Sequence, residues 1–295
     1  MGAGLFLAIL AVSAASIFIR FAQENAPSLV IAALRLTCAT LLLAPVALTR
    51  YRYELKSLQQ GEVLLSIISG LFLAAHFATW ISSLEYTSVA SSVVLVATGP
   101  LWVALFSPVL LNEHLRRAAI LGLGIALLGG ALIGLSDACT WNGILQCPDL
   151  SHIFQGRAMW GNFLALAGAL AISGYLIIGR KLRANMPLVP YIFLAYGVSA
   201  IALIVIMIAA GESPFGYPAQ TYVWIFLLAA FPQLIGHSMF NWLLKYLTAT
   251  LVSVTTLAEP VGSTILAYLL LHETPTLAVV FGGVLILLGI YLTST

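Results

Sequence analysis

Polar side chains recur at helical spacing inside two long apolar segments of this chain. One stripe holds His76 and Trp80, and the other holds Gln233, His237 and Asn241, each four residues from the next. Residues four apart share one face of a helix, and a polar face inside an apolar segment turns away from lipid. Either stripe alone is compatible with hydrogen bonding between helices. The two stripes lie in corresponding apolar segments of the two halves of the chain, which favours the wall of a binding cavity for a neutral or zwitterionic, partly apolar solute.

Two ionisable side chains also lie within apolar segments, where a charge costs about 2.5–3.5 kcal/mol on insertion scales. Glu259 is interpreted either as a site for a proton or a cation, or as a structural charge paired with Arg35 or a hydroxyl. Arg35 is interpreted either as a contact for a carboxylate or as a side chain that reaches towards the membrane surface. Two deep aromatic residues, Trp102 and Tyr175, complete the candidate binding residues.

The composition places these residues in a membrane protein. Of the 295 residues, 61% are hydrophobic and only 7% are charged, whereas soluble domains carry about 25% charged residues. Ten apolar runs are about as long as a bilayer is thick, and their Leu/Ala-rich sequence lacks the alternation of a barrel strand. The predicted spans are 2–21, 28–49, 62–84, 88–111, 118–135, 159–178, 191–210, 222–244, 250–271 and 276–293. The predicted fold class is all-α, polytopic and transmembrane.

The ten spans form two copies of one pattern. Pro100 and Pro260 lie 160 residues apart, and each is followed by an apolar run that ends in Leu-Leu-x-Glu, at Glu113 and Glu273. Further matches at the same offset pair Ser13 with Ser173, Arg20 with Arg180, Pro27 with Pro187 and Gly122 with Gly282. Five spans are an odd number, so the second copy enters the membrane from the opposite side. We therefore expect two inverted repeats, 1–135 and 159–295, around a central cavity, joined by a linker loop at 136–158.

Both repeated prolines lie near the middle of a span. A proline there removes one backbone hydrogen bond and kinks the helix, which frees the carbonyl groups of Val96 and Thr256. Such carbonyl groups are tolerated in hydrocarbon only where they line a cavity or find another donor. The prolines are predicted to act as bending points for gating beside the cavity, the alternative being kinks that serve packing alone.

The distribution of basic residues predicts the orientation. One side of the membrane collects nine of the twelve, namely Arg50, Arg52, Lys56, Arg116, Arg117, Arg180, Lys181, Arg183 and Lys245. By the positive-inside rule this side and both termini are cytoplasmic. The loop with Cys139 and Cys147 then faces outward, where a disulfide between them is plausible and two free thiols are the alternative.

Enzymatic motifs are missing from the sequence. It contains no HExxH, no Walker motif and no paired carboxylates, and Ser173 lacks the preceding glycine of an intramembrane serine protease. We therefore expect no catalytic residue, no cofactor and no metal site. The net charge of +2 is too small and dispersed to indicate nucleic-acid binding.

The ten spans, the paired prolines in spans four and nine and the Leu-Leu-x-Glu ends resemble the EamA-type drug/metabolite transporter superfamily over essentially the whole chain. Within it, the chain looks most like the aromatic amino-acid exporters of the bacterial inner membrane. The resemblance implies a ten-helix bundle whose cavity is lined from spans one, three, four, six, eight and nine. The residues that fall on those spans are His76, Trp80, Pro100, Trp102, Tyr175, His237, Asn241 and Pro260.

Two differences from related transporters reduce the number of functions that fit the sequence. The first span holds no acid, unlike the small multidrug exporters of the same helical plan, and Arg35 alone cannot supply the basic cluster of phosphate-ester carriers. The prediction is a monomeric inner-membrane exporter of amino acids, aromatic or bulky and neutral, that works by alternating access. The alternatives are export of other small metabolites or drugs and, less favoured, an intramembrane enzyme. The expected partners are the small-molecule substrate and the lipid bilayer.

Overall fold

The computed structural model is a bundle of long apolar helices and describes residues 2–87, 89–138, 140–141, 145–146, 156–271 and 277–294. The helices of the first half are α1 (Gly2–Ser13), α2 (Ala15–Gln23), α3 (Ser28–Arg50), α4 (Arg52–Lys56), α5 (Gln60–Ser83), α6 (Val89–Val96), α7 (Gly99–Leu110) and α8 (Arg117–Ala138). Those of the second half are α9 (Gly156–Arg183), α10 (Leu188–Ala209), α11 (Ala219–Leu228), α12 (Ser238–Leu243), α13 (Ala249–Thr256), α14 (Glu259–Leu271) and α15 (Leu277–Ser294). A π-helical segment, Ala229–His237, joins α11 to α12. Two short strands, β1 (Thr140–Trp141) and β2 (Leu145–Gln146), pair antiparallel in the predicted linker.

Helix length and composition agree with a chain that crosses a membrane many times. Among the described residues, eight helical segments are long and apolar enough to span a bilayer, and Val94–Leu110 and Arg117–Leu132 are shorter apolar helices. These segments fall on the ten predicted spans. The prediction of a helical, polytopic membrane protein is confirmed at this level. The sixth span is longer than predicted, because α9 continues to Arg183.

The spans that contain Pro100 and Pro260 are each divided into two helices. In the fourth span α6 ends at Val96 and α7 begins at Gly99, and in the ninth α13 ends at Thr256 and α14 begins at Glu259. A two-residue turn separates the helices in both places. The proline ring cannot donate a backbone hydrogen bond and clashes with the preceding turn. The result is a break in the helix, which is sharper than the kink that the sequence predicts.

Helices from the two halves pack against each other in a regular pattern. The fifth span (α8) packs on the tenth (α15), and the second (α3) packs on the seventh (α10). The third span (α5) packs on the sixth (α9), and the first (α1) packs on the π-helical part of the eighth. Each span has an equivalent five spans away in the other half. When every span is replaced by its equivalent, the same set of packed pairs is obtained.

Glycines allow α8 and α15 to approach with backbone in contact. A Cβ atom added to Gly122 would lie 2.5 Å from the carbonyl oxygen of Gly289, and one added to Gly129 would lie 2.5 Å from that of Gly282. The two contacts are equivalent, because Gly282 lies 160 residues after Gly122 and Gly289 lies 160 residues after Gly129. Small residues permit such close packing between membrane helices, where dispersion contacts replace the hydrophobic effect.

The eighth span departs from α-helical geometry around Pro232. The nine residues Ala229–His237 form i→i+5 hydrogen bonds, and π-helical turns of this kind are rare and concentrate at functional sites. The proline lacks the N–H group that a regular helix needs at this point. The wider turn changes which residues face the bundle interior, so the spacing of four between Gln233 and His237 no longer describes one α-helical face.

The glycine contact gives a matched pair of substitutions within one helix. Gly122→Ala places a methyl group against the Gly289 carbonyl, and overpacking of this kind costs about 1–3 kcal/mol. Gly124→Ala is the control, since a Cβ there meets nothing within 4 Å, and alanine favours a helix over glycine by roughly 0.5–1 kcal/mol. We expect thermal unfolding in detergent to begin at a lower temperature for Gly122→Ala and at an equal or higher one for Gly124→Ala. Equal unfolding temperatures for the two variants would contradict the close contact.

Candidate functional site

Equivalent serines hold the two helix breaks. Ser173 in the sixth span donates from its Oγ to the carbonyl oxygen of Gly99, the first residue of α7, at 2.8 Å. The Oγ of Ser13 in the first span lies 3.2 Å from the carbonyl oxygen of Glu259, the first residue of α14. Each hydroxyl shares its one proton with a carbonyl oxygen of its own helix, that of Ala169 for Ser173 and that of Ile9 for Ser13, both at 2.7 Å. Each serine thus connects the start of the helix that follows a break to a neighbouring span. The Ser173 hydroxyl is buried and hydrogen-bonded to backbone, which is a structural arrangement.

A buried pair of polar side chains lies deeper in the bundle. Arg35 of α3 is 1% exposed, and its Nε donates to the Oε1 of Gln233, a residue of the π-helical segment, at 3.1 Å. The guanidinium carbon lies 4.4 Å from the centre of the Phe77 ring, within range of a cation–π interaction. The side chain of Arg35 is therefore turned into the protein, and it does not reach the membrane surface.

Each partner of this pair keeps a donor without an acceptor. The Nη1 of Arg35 and the Nε2 of Gln233 are buried, and neither has a hydrogen-bond partner among the described residues. Glu259 lies close enough to interact electrostatically with Arg35, but no hydrogen bond or direct ion pair joins the two described side chains. Buried polar groups are nearly always paired, so two neighbouring unpaired donors mark an unusual place.

Aromatic and imidazole rings surround the Arg35–Gln233 pair. The rings of His76 and Trp80 stack with centroids 5.6 Å apart, and His237 meets Phe77 edge to face, also at 5.6 Å. The Nδ1 of His76 lies 2.9 Å from the carbonyl oxygen of Gly168, which fixes the imidazole ring against the sixth span. Two predicted stripes from different spans are thus joined through Phe77, which the sequence analysis did not select. We refer to Arg35, Phe77, His76, Trp80, Gln233 and His237 as the Arg35 cluster.

Tyr175 and Asn241 form a second group next to this cluster. The Nδ2 of Asn241 donates to the Tyr175 hydroxyl at 2.6 Å and to the carbonyl oxygen of His237 at 2.7 Å. Both residues are fully buried, and the Oδ1 of Asn241 has no partner within the described part of the chain. The carbonyl group of His237 therefore connects this pair to the Arg35 cluster.

The remaining candidate residues lie elsewhere. Trp102 stacks on Phe106 of its own helix at 6.4 Å, and no hydrogen bond or ring contact within the described chain joins it to the Arg35 cluster. Pro100 and Pro260 lie at the helix breaks. Cys139 and Cys147, the predicted disulfide, fall outside the described residues.

Two grooves open on the surface of the described structure, and neither contains a residue of the Arg35 cluster. One is apolar and runs along the fourth and fifth spans, past Thr98, Leu101 and Leu128. The other lies at the predicted outer end, between Gln23 and Glu85. Four residues of the Arg35 cluster are buried, namely Arg35, His76, Phe77 and Gln233, whereas Trp80 and His237 are partly exposed.

An ion pair ties the helix ends on the predicted cytoplasmic side. The Nε of Arg180 lies 2.5 Å from the Oε1 of Glu113, and its Nη1 donates to the carbonyl oxygen of Leu244 at 2.7 Å. The Oε2 of Glu113 accepts from the backbone N–H of Ala249, the first residue of α13, at 3.0 Å. This end clamp joins the fourth, sixth, eighth and ninth spans.

Two of these arrangements are not predicted from the sequence. Gln233 belongs to a predicted polar stripe but is not one of the predicted binding residues, although Pro232 beside it indicates an irregular helix. Glu113 enters the sequence pattern only as the end of a repeated motif. The sequence feature that indicates the clamp is that Glu113 and Arg180 both belong to the matched positions of the repeat.

These features define a class of protein: a polytopic helical membrane protein with broken helices beside a largely buried polar and aromatic centre, as membrane transporters have. The family model of the EamA-like transporter family matches residues 2–135 and 159–295. The chain belongs to the EamA-like transporter family. Membership supports transport and gives no indication of an enzyme.

Similar proteins occur in bacteria and plants. The chain is 25% identical to the pseudopaline exporter CntI of Pseudomonas aeruginosa, over 97% of this chain and 94% of that protein. It is 25% identical to the WAT1-related protein At4g01450 of Arabidopsis thaliana, over 90% of this chain and 77% of that protein. An uncharacterized transporter of Clostridium kluyveri is 25% identical over 70% of this chain, which spans 64% of that protein's length.

A crystal structure also shares the fold. It superposes with a TM-score of 0.80 and 22% sequence identity, covering 98% of this chain and 94% of that chain. At this identity the likeness concerns the arrangement of the helices. It extends over the whole bundle.

The end clamp can be weakened by a single substitution. Glu113→Gln removes the charge that holds Arg180 and weakens the acceptor for the N–H of Ala249, and we expect the free energy of unfolding to fall by about 1–3 kcal/mol. Glu85→Gln, at an exposed carboxylate on the predicted opposite side, is the control. Thermal unfolding in detergent would show a lower midpoint for Glu113→Gln alone. A midpoint equal to that of the control would show that the clamp adds little to the fold.

Proposed function

We propose that this transporter exports amino acids, and that aromatic or bulky neutral ones are its substrates. The observation that carries the proposal is the composition of the Arg35 cluster, which combines ring faces with hydrogen-bond donors in a largely buried space. Ring faces of His76, Trp80 and His237 suit stacking against an apolar or aromatic side chain. Few fixed charges are present, which suits a solute without net charge.

The binding residues that we propose come from both stripes and from the neighbouring pair. They are His76, Trp80, Trp102, Tyr175, His237 and Asn241. Tyr175 and Asn241 supply polar atoms at one border of the cluster, including the unpartnered Oδ1 of Asn241. Trp102 lies apart from the cluster, and we propose that a movement of α7 brings its ring to the site. Its Nε1 is buried without a partner in the described structure and is therefore a donor that a solute can use.

The transport cycle that we propose is alternating access between two inverted repeats of five spans, 1–135 and 159–295. Three observations support this division: the matched packing of helices, the paired glycine contacts of α8 and α15, and the two segments of the family match. Inverted repeats can exchange conformations, so that one half opens on one side while the other half closes.

The helix breaks at Pro100 and Pro260 are the proposed bending points. A break has lost part of the i→i−4 ladder, so the two helices on either side can change their angle at low cost. Ser173 and Ser13 hold the breaks from the neighbouring repeat. Movement of one repeat against the other therefore acts directly on the angle of the broken span.

The orientation that we propose places both termini in the cytoplasm and the protein in the bacterial inner membrane. In that orientation the clamp of Glu113 and Arg180 closes the cytoplasmic end in the present conformation. Entry of an amino acid from the cytoplasm then requires the clamp to open. Glu259 is either the proton site of a coupled cycle or a structural charge near Arg35.

A second candidate is export of other small metabolites. A relative that matches nearly the whole chain carries the name pseudopaline exporter, which is the observation that favours it. A largely buried polar and aromatic centre serves such solutes as well. The two candidates differ in whether free amino acids are transported.

Counterflow in proteoliposomes separates these candidates. Vesicles loaded with unlabelled tryptophan or phenylalanine are expected to accumulate the labelled amino acid from outside, and vesicles without protein are not. Repeating the assay with a pH gradient tests Glu259, because uptake that follows the gradient in the wild type and not in Glu259→Gln indicates a proton site. Absence of uptake for every amino acid would refute the proposal and favour the metabolite exporter.

The two histidines allow the site to be tested within that assay. His76→Ala and His237→Ala each remove a ring from the cluster, and we expect initial rates about five- to tenfold lower, which corresponds to about 1–1.4 kcal/mol of lost contact. His114→Ala is the control, since this histidine is exposed. Equal amounts of monodisperse protein must be reconstituted for all variants. Wild-type rates for both cluster variants would exclude the histidines from the site.

A further inference from the structure

We propose that Arg35 and Gln233 form a carboxylate-binding site within the bundle, and that the solute is bound through its carboxylate group. The inference rests on the proposed function and adds to it the chemical group that is recognised and the two side chains that recognise it. The carboxylate oxygens would accept from the Nη1 of Arg35 and the Nε2 of Gln233.

The hydrogen bond between the two side chains sets the geometry of this donor pair. Because the Oε1 of Gln233 accepts from the Nε of Arg35 at 3.1 Å, the amide nitrogen of the same group is held beside the guanidinium. The guanidinium carbon of Arg35 also lies 4.4 Å from the centre of the Phe77 ring, and this contact further restricts the orientation of the guanidinium group. The two unpaired donors thus lie on side chains that already hold each other, and a carboxylate offers one acceptor oxygen for each of them.

Both donors are buried and unpaired within the described structure. Gln233 is 0% exposed and Arg35 is 1% exposed, so bulk water does not satisfy them. An arginine has five N–H donors and no acceptor, and it forms its strongest hydrogen bonds with carboxylates and phosphates. The donors thus point to an anionic, planar group as the ligand.

An ionised Glu259 would favour a zwitterion over a simple anion at this site. Its carboxyl group is near Arg35 without touching it, so the two charges are held apart. An α-amino acid carries a carboxylate for Arg35 and an ammonium group that Glu259 attracts. A solute with a carboxylate alone would meet the repulsion of Glu259, and a solute with an amine alone would leave the Arg35 donors unpaired.

The test measures binding with matched ligands and does not depend on transport. Thermal unfolding of the purified protein in detergent is recorded over a range of ligand concentrations, which gives an apparent affinity for each ligand. The ligands are tryptophan, indole-3-propionate and tryptamine, and leucine, 4-methylpentanoate and isopentylamine. Within each set the second compound lacks the amine and the third lacks the carboxylate. For the wild type we expect affinity in the order amino acid, then acid, then amine, with at least a tenfold difference between the first and the third.

Two variants then assign the effect to the donor pair. Arg35→Gln removes the guanidinium and should weaken binding of the amino acid at least tenfold without weakening binding of the amine. Gln233→Glu supplies a carboxylate from the protein itself, and should abolish the preference for a carboxylate even though Arg35 is present. Arg20→Gln is the control, because this arginine is exposed at the end of α2. Since each comparison is a ratio of two ligands on one variant, a loss of folded protein does not imitate the result.

The outcomes separate this inference from the proposed function. Counterflow of tryptophan together with an unchanged ratio of amino acid to amine in both variants would overturn the carboxylate site and leave the exporter of amino acids standing. Stabilisation of the wild type by carboxylates without counterflow of any amino acid would overturn the proposed function and keep the site. A wild type that no carboxylate stabilises overturns the inference.

Discussion

Hydrocarbon offers the backbone no hydrogen-bond partners, and this constraint decides how the bundle can contain broken helices. Where Pro100 and Pro260 interrupt their spans, the polar groups of the break need a partner inside the protein. The carbonyl groups that the prolines free are those of Val96 and Thr256. Ser173 and Ser13 add a hydrogen bond to the first carbonyl of the following helix. Each break is thus connected to the first span of the opposite half of the chain.

The sequence predicts those parts of the structure that depend on one helix at a time. Composition gives the membrane spans, because a helix that faces lipid must be apolar along its whole length. A proline at mid-span gives the break, because its effect is local. The contact between Arg35 and Gln233 depends on which helices face each other, and residue spacing does not carry that information. The π-helical segment that ends at His237 also changes the direction in which the following side chains point, and the regular spacing of an α-helix does not predict this change.

The charges in the bundle interior show how the protein tolerates an arginine there. A charged side chain at mid-membrane costs about 2.5–3.5 kcal/mol on insertion scales. One hydrogen bond to the neutral amide of Gln233 and a cation–π contact with Phe77 recover part of this cost. Glu259 reduces it further through space. The Nη1 of the guanidinium remains without a partner in the described structure.

Equivalent positions of the two halves are filled differently, although the helices of the two halves pack in matching pairs. His76 fills the space before the carbonyl of Gly168, whereas Gly236, 160 residues later, lets the backbone approach the carbonyl of Ala8. Glu259 likewise corresponds to Gly99. The glycines bring backbones together, and the larger residues enclose polar and aromatic groups. Matched glycines and serines therefore lie at the contacts between helices, while mismatched positions hold the polar and aromatic groups of the proposed site.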